Sequence, residues 1–149
     1  MKTFNDELAQ HIAVMQSAAQ CSDVVQEAAK LLIDTFERGN KVLLCGNGGS
    51  AADAQHIAAE FVVRYEKKRR ALPAIALTTD SSILTAHAND FEFDSVFARQ
   101  IEALGSAGDT LIAISTSGNS KNILQAAHAA KAKGLNVIAL TGESGGALV

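Results

Sequence analysis

Short, uninterrupted apolar runs alternate along this chain with longer segments in which apolar residues recur every three or four positions. The runs are Val42-Leu43-Leu44, Ala74-Ile75-Ala76-Leu77, Leu111-Ile112-Ala113-Ile114 and Val137-Ile138-Ala139-Leu140. A strand with one wet face alternates polar and apolar residues, whereas a strand covered on both faces does not. The runs therefore predict four strands, over 41–46, 73–78, 110–115 and 136–140, with the first and third read as buried. The fold class is α/β, a three-layer, flavodoxin-like parallel sheet with helices on both faces.

The periodic segments predict the helices. Leu8, Ile12 and Met15 mark one over 5–19. Val25, Ala28, Ala29, Leu32 and Phe36 mark a second over 23–38, with Asp23 and Gln26 as a capping box and Gly39 as its C-cap. Further helices are predicted over 50–65, 82–87, 93–104 and 119–133, the last carrying Ile123, Leu124, Ala127 and Ala130 on one face and stopping at Gly134. The 149 residues suit one domain. No repeat or linker divides them, so residues 1–40 read as N-terminal helices and 41–149 as the sheet-containing core. The stretch 141–149 resembles another strand leaving for a turn with nothing after it. The expectation is that C-terminal residues are missing.

Composition narrows the partners. A net charge of −3 gives no basic excess of the kind nucleic-acid grooves need. No apolar run is long enough to span a bilayer, and the polar, acidic start is no signal peptide. Cys21 and Cys45 are then expected as reduced thiols in a cytoplasmic protein.

Two turns carry the candidate chemistry. Cys45-Gly46-Asn47-Gly48-Gly49-Ser50 and Ser115-Thr116-Ser117-Gly118-Asn119-Ser120 each follow a strand and precede a helix. Small residues let the backbone approach a ligand, and a helix N-terminus offers free amide hydrogens and partial positive charge. The hydroxyls of Ser115, Thr116, Ser117 and Ser120 add neutral donors suited to a phosphate. The first turn is neither a dinucleotide nor a Walker fingerprint, because no third glycine falls at the required place and no lysine follows its glycines. The competing reading is a pair of capped turns without a ligand, Ser50 serving as one cap.

Asp53, His56 and Glu60 share one face of the helix after the first turn. His56 and Glu60 at this spacing suit either a divalent metal or a local hydrogen bond, and Glu60 is a candidate general base. Asn89-Asp90 reads as a turn between helices. Lys67-Lys68-Arg69-Arg70 reads as a solvated loop, and Arg64 as a partner for an anion or a carboxylate.

The stretches CGNGGSAADAQHIAAEF (45–61), LPAIALTTDSSILTAHANDFEFDSVFARQIEALG (72–105), GDTLIAISTSGNSKNI (108–123) and VIALTGESGG (137–146) together resemble the SIS (sugar isomerase) family. Within it they are similar to the branch that isomerises sedoheptulose 7-phosphate. The resemblance implies interconversion of that ketose with D-glycero-D-manno-heptose 7-phosphate through an enediol, opening ADP- or GDP-heptose synthesis for lipopolysaccharide or surface glycans. It implies substrate contacts from Asn47, Gly48, Gly49, Ser50, Glu60, Asn89 and Asp90, and phosphate contacts from Ser115, Thr116, Ser117 and Ser120. It also implies zinc on His56 and Glu60, proton transfer by Glu60, and a homotetramer with sites at subunit interfaces. The family's Gln and His on a later helix have no counterpart here. The alternative is a non-catalytic relative that binds the replication initiator DnaA. That pattern lacks the acid at Glu60 and has Asn at Asp53, so both carboxylates here favour the enzyme.

Overall fold

The computed structural model describes residues 1–142 and 144–149. They form two compact units, Met1–Ile33 and Asp34–Val149. In the first, α1 (Phe4–Ser17) leads through a 3₁₀ turn (Ala18–Cys21) into α2 (Ser22–Glu37), which runs on into the second unit. The capping box belongs to α1 instead of α2. Thr3 takes an extended conformation, its hydroxyl accepts from the Asp6 amide, and Asp6 accepts from the Thr3 amide at 2.8 Å. Asp23 does not cap α2, because Ser22 before it is already helical and leaves no extended residue there. Gln26 donates instead to the Ser22 hydroxyl. Leu8, Ile12 and Met15 do not reach a core either: no residue of α1 is buried.

The second unit holds the sheet: β1 (Val42–Gly46), α3 (Gly49–Val62), β2 (Ala74–Ala76), α4 (Ser81–Asp90), α5 (Val96–Leu104), β3 (Thr110–Ser115), α6 (Lys121–Ala132) and β4 (Asn136–Thr141). All pairs are parallel, in the order β2-β1-β3-β4. β2 is shorter than predicted, since the chain turns away after Leu77 has bonded to the Leu44 carbonyl at 2.8 Å.

The strand order decides where a ligand can sit. From β1 the chain crosses through α3 to β2 on one side; from β3 it crosses through α6 to β4 on the other. Right-handed crossovers in opposite directions put α3 and α6 on opposite faces. The helices therefore diverge between β1 and β3, opening a crevice beyond the carboxyl ends of these strands. Leu43, Cys45, Leu111 and Ala113 face one way, packing with Val96, Phe97, Ile101, Ile123, Ala126 and Ala130 of α5 and α6. Val42, Leu44, Ile112 and Ile114 alternate to the other face, the side of Ala54 and Ala58 in α3. Cys21 and Cys45 are both free, and burial pushes the Cys45 thiol up to about 12.

At the opposite, amino-terminal ends of β1 and β3, Asp109 ties the strands together. Its buried carboxylate accepts from the Lys41 amide at 3.0 Å, the Lys41 ammonium at 2.6 Å, the Ser106 amide at 2.8 Å and the Asn40 amide group at 3.2 Å. Burial alone would raise its pKa. The hydrogen bonds from Lys41, Ser106 and Asn40 outweigh burial and hold it below the ordinary 3.8.

Candidate functional site

The first turn is shaped by glycines with different duties. A Cβ on Gly46 would lie 2.5 Å from the Ser50 carbonyl oxygen, so β1 passes almost in contact with the first turn of α3. Gly48 holds the cap position at φ +55°, a conformation that favours glycine. No side chain caps it, so the cap assigned to Ser50 falls to a residue without a side-chain acceptor. Gly49 has an ordinary φ, and a methyl added to it would meet nothing within 4 Å, so neither constraint demands glycine there.

The second turn leaves β3 at Ser115. The Gly118 amide donates back to the Ser115 carbonyl at 3.0 Å, and Ser115 donates to the Ser120 hydroxyl at 3.2 Å. Gly118 has φ +63°, and a Cβ there would run into the Gly145 carbonyl. Asn119 fastens the turn from outside, donating to the Ser117 carbonyl and accepting from the Ala147 amide at 3.0 Å. The Gly142 amide donates to the Thr116 carbonyl at 3.0 Å.

Between the turns lies a cavity of about 280 Å³, at the crevice the strand order opens. Asn47 and Ser50 line one side, and Ile114, Ser115, Thr116, Ser117 and Ser120 the other. Among the described residues, every polar group in this lining is neutral. The exposed Gly48 and Gly49 lie on the turn without lining the cavity. The turns are joined by a contact that the sequence pattern does not announce. Asn47 and the buried Asn122 exchange two hydrogen bonds, of 2.9 and 2.8 Å. Asn122 is the second residue of α6, beside a lysine, where its pattern reads as solvated surface; only the strand order reveals its partner.

The remaining candidates lie elsewhere. Glu60 is ten residues beyond Ser50 on α3, about 15 Å along the axis. His56 Nε2 lies 3.6 Å from Glu60 Oε1, with His56 exposed and Glu60 partly covered. Two ligands on a tetrahedral zinc at ordinary bond lengths are about 3.4 Å apart, so the pair has suitable spacing for half a site. Among the described residues, no third His, Cys, Asp or Glu joins them, so the pair alone does not make a zinc site. Asp53 is exposed. Asn89 and Asp90 form the last turn of α4 instead of the predicted connecting turn. Both are exposed, with Asn89 donating to Asp90 at 2.8 Å.

The basic loop is also more engaged than its composition suggests. Arg69 donates to the carbonyls of Glu60 at 2.6 Å and Phe61 at 2.8 Å, holding the last turn of α3. Arg70 donates to the Phe36 carbonyl at 3.0 Å. Guanidinium groups near a helix C-terminus satisfy carbonyls that lack intrahelical partners.

A family model described as "SIS domain" matches residues 4–142. The chain belongs to the SIS domain family. It is 53% identical over 149 residues to a phosphoheptose isomerase of Thiobacillus denitrificans, covering 97% of this chain and 76% of that one. Two solved structures agree. The phosphoheptose isomerase of Neisseria gonorrhoeae superimposes with a TM-score of 0.84 at 46% identity, over 98% of this chain and 79% of that one. The enzyme from Francisella tularensis gives 0.87 at 41% identity, over 99% and 80%. The parallel α/β SIS fold is thus the fold of isomerases. Nothing in these comparisons supports the initiator-binding alternative. Among the described residues no helix is long and apolar enough to cross a membrane.

Proposed function

We propose that this chain is an aldose–ketose isomerase interconverting sedoheptulose 7-phosphate and D-glycero-D-manno-heptose 7-phosphate. One observation carries the reading: two amide-rich turns at the carboxyl ends of adjacent β1 and β3 enclose a neutral, hydroxyl-lined cavity. Its relatives' printed name, phosphoheptose isomerase, supplies the sugar.

In this reading Ser115, Thr116, Ser117 and Ser120 hold the phosphate, with Asn47 and Ser50 on its other side and Gly48 and Gly49 as further substrate contacts outside the cavity lining. Phosphate and carbonyl lie at opposite ends of the heptose chain. Anchoring one end on the turns therefore fixes C1 and C2 at the far end of the bound sugar, where this reading assigns the Glu60 carboxylate. Asn89 and Asp90 are assigned to the sugar hydroxyls. The Glu60 carboxylate removes a proton from C1 of the ketose. The C–H electrons form the C1–C2 double bond while the C2 carbonyl oxygen takes a proton, giving the cis-enediol. Glu60 then returns a proton to C2 as the O1 hydroxyl gives up its own, leaving the C1 aldehyde. His56 and Glu60 are the proposed ligands of a zinc ion, which would supply Lewis acidity to the enediol oxygens. A homotetramer would bring other copies' residues to each site, in a cytoplasmic enzyme.

The test is conversion of sedoheptulose 7-phosphate in D₂O followed by proton NMR. Turnover with deuterium entering at C1 or C2 is expected, and Glu60→Gln should lose turnover while retaining substrate binding. A wild-type chain that never converts the ketose, or an E60Q chain that converts it at the normal rate, overturns the assignment.

A further inference from the structure

We propose that Asn122 is a positioning residue that sets the geometry of the phosphate cavity through Asn47. The inference rests on the proposed sugar-phosphate reading of that cavity. Asn47 follows β1 and lines the cavity; Asn122 lies in the first turn of α6 and is 3% exposed. Each carboxamide donates one N–H to the other's oxygen, at 2.9 and 2.8 Å, closing a ring between positions 75 residues apart in sequence. The contact bridges the two crossovers where they diverge, and no other side-chain hydrogen bond among the described residues joins the first turn to α6.

The pair matters because of what the lining lacks. A cation attracts an anion from most directions, whereas hydroxyl and amide donors weaken steeply once misaligned. An anion held only by neutral donors depends on how the two turns are set against each other. The Asn47 oxygen and one of its N–H groups are already committed to Asn122, leaving a single side-chain N–H for a ligand. Asn47 therefore serves mainly as a strut, with Asn122 as its other end.

Removing either carboxamide leaves the other, buried Asn122 or half-buried Asn47, without its mate and frees the turns to separate. Asn122→Ala is expected to raise KM for sedoheptulose 7-phosphate roughly tenfold, with kcat within about twofold, because Glu60 and the reacting carbons lie away from the pair. Asn47→Ala should act through the same contact, so the double variant should be no worse than the more damaged single variant. The companion measurement is inorganic phosphate binding by amide chemical shifts of residues 115–120, which should weaken in parallel in N122A. Asn122→Asp is the second probe. It keeps the size and fold but brings a carboxylate beside the anion, and should weaken phosphate at least as much as alanine does. An active wild type with unchanged KM in both Asn122 variants, or strictly additive losses in the double variant, overturns the strut. A wild type whose turn never responds to phosphate overturns the phosphate reading itself, and the strut's role with it; the wild-type spectrum alone distinguishes the two failures.

Discussion

Gly46→Ala offers a direct test of whether the close approach of β1 to α3 builds the first turn. The added methyl would meet the Ser50 carbonyl oxygen, carbonyl carbon and Cβ at 2.5, 2.6 and 2.8 Å. Two of these atoms are main chain, so no side-chain rotation relieves the overlap. Restoring ordinary contacts requires the first turn of α3 to retreat by about 1 Å. Gly46 is buried in the sheet, paired with Ile114 of β3, so the strand cannot yield instead. Overpacking of this kind costs about 1–3 kcal/mol, which in a chain of this size lowers Tm by roughly 2–12 °C. The functional loss should be larger. A 1 Å shift carries the α3 amides and Ser50 away from the cavity, and kcat/KM should fall about ten- to a hundredfold. Thermal melting by circular dichroism and steady-state kinetics on the heptose phosphate read the two effects. A variant with wild-type Tm and wild-type KM would refute the claim that this contact shapes the turn.

The other predictions separate fold from site. Gly49→Ala meets no steric obstacle and replaces glycine within a helix, so Tm should hold or rise slightly; KM should nevertheless rise, because a methyl there hinders a ligand approaching the turn. Arg69→Ala releases the Glu60 and Phe61 carbonyls, so amide exchange in the last turn of α3 should quicken and kcat should fall more than KM changes. Asp109→Asn should lower the urea midpoint at neutral pH. The native pKa of Asp109 is depressed, so its contribution is fully present above the ordinary 3.8 and lost as pH falls below that value through the native one. The gap between wild type and variant should therefore be constant from about pH 8 to 5 and narrow below 3.8.

The two central strands were legible because burial on both faces writes itself into the chain as unbroken apolar runs. β1 and β3 match their expected limits to within a residue for that reason. β2 and β4 carry such runs at the sheet edges, where Ile75 and Leu140 are exposed and no residue of β4 is buried. The pairing of the two turns was legible in part: glycine and hydroxyl chemistry marks each turn, but their adjacency depends on β1 lying beside β3. Asn122 shows the limit. Its spacing and its neighbour Lys121 describe a solvated helix start, and only a contact across 75 positions makes it buried. Asp23 fails for a local reason, since an acid with a glutamine three residues on caps a helix only if the chain arrives extended. Arg69 and Arg70 read as solvated charge because helix carbonyls leave no mark in composition. Leu8, Ile12 and Met15 keep helical spacing without burial, so periodicity marks the helix but not what covers it.

The uncharged lining of the cavity has a consequence for how substrate arrives. With a chain of net charge −3 and a dianionic sugar, long-range forces oppose encounter, and among the described residues no lysine or arginine lines the cavity to reverse them. Lys121, next in the chain, is already paired with Asp94 at 3.3 Å. Added salt screens the distant repulsion but hardly touches short hydrogen bonds inside the crevice. Capture of the sugar should then quicken as ionic strength rises, the reverse of a site that draws its anion with cations.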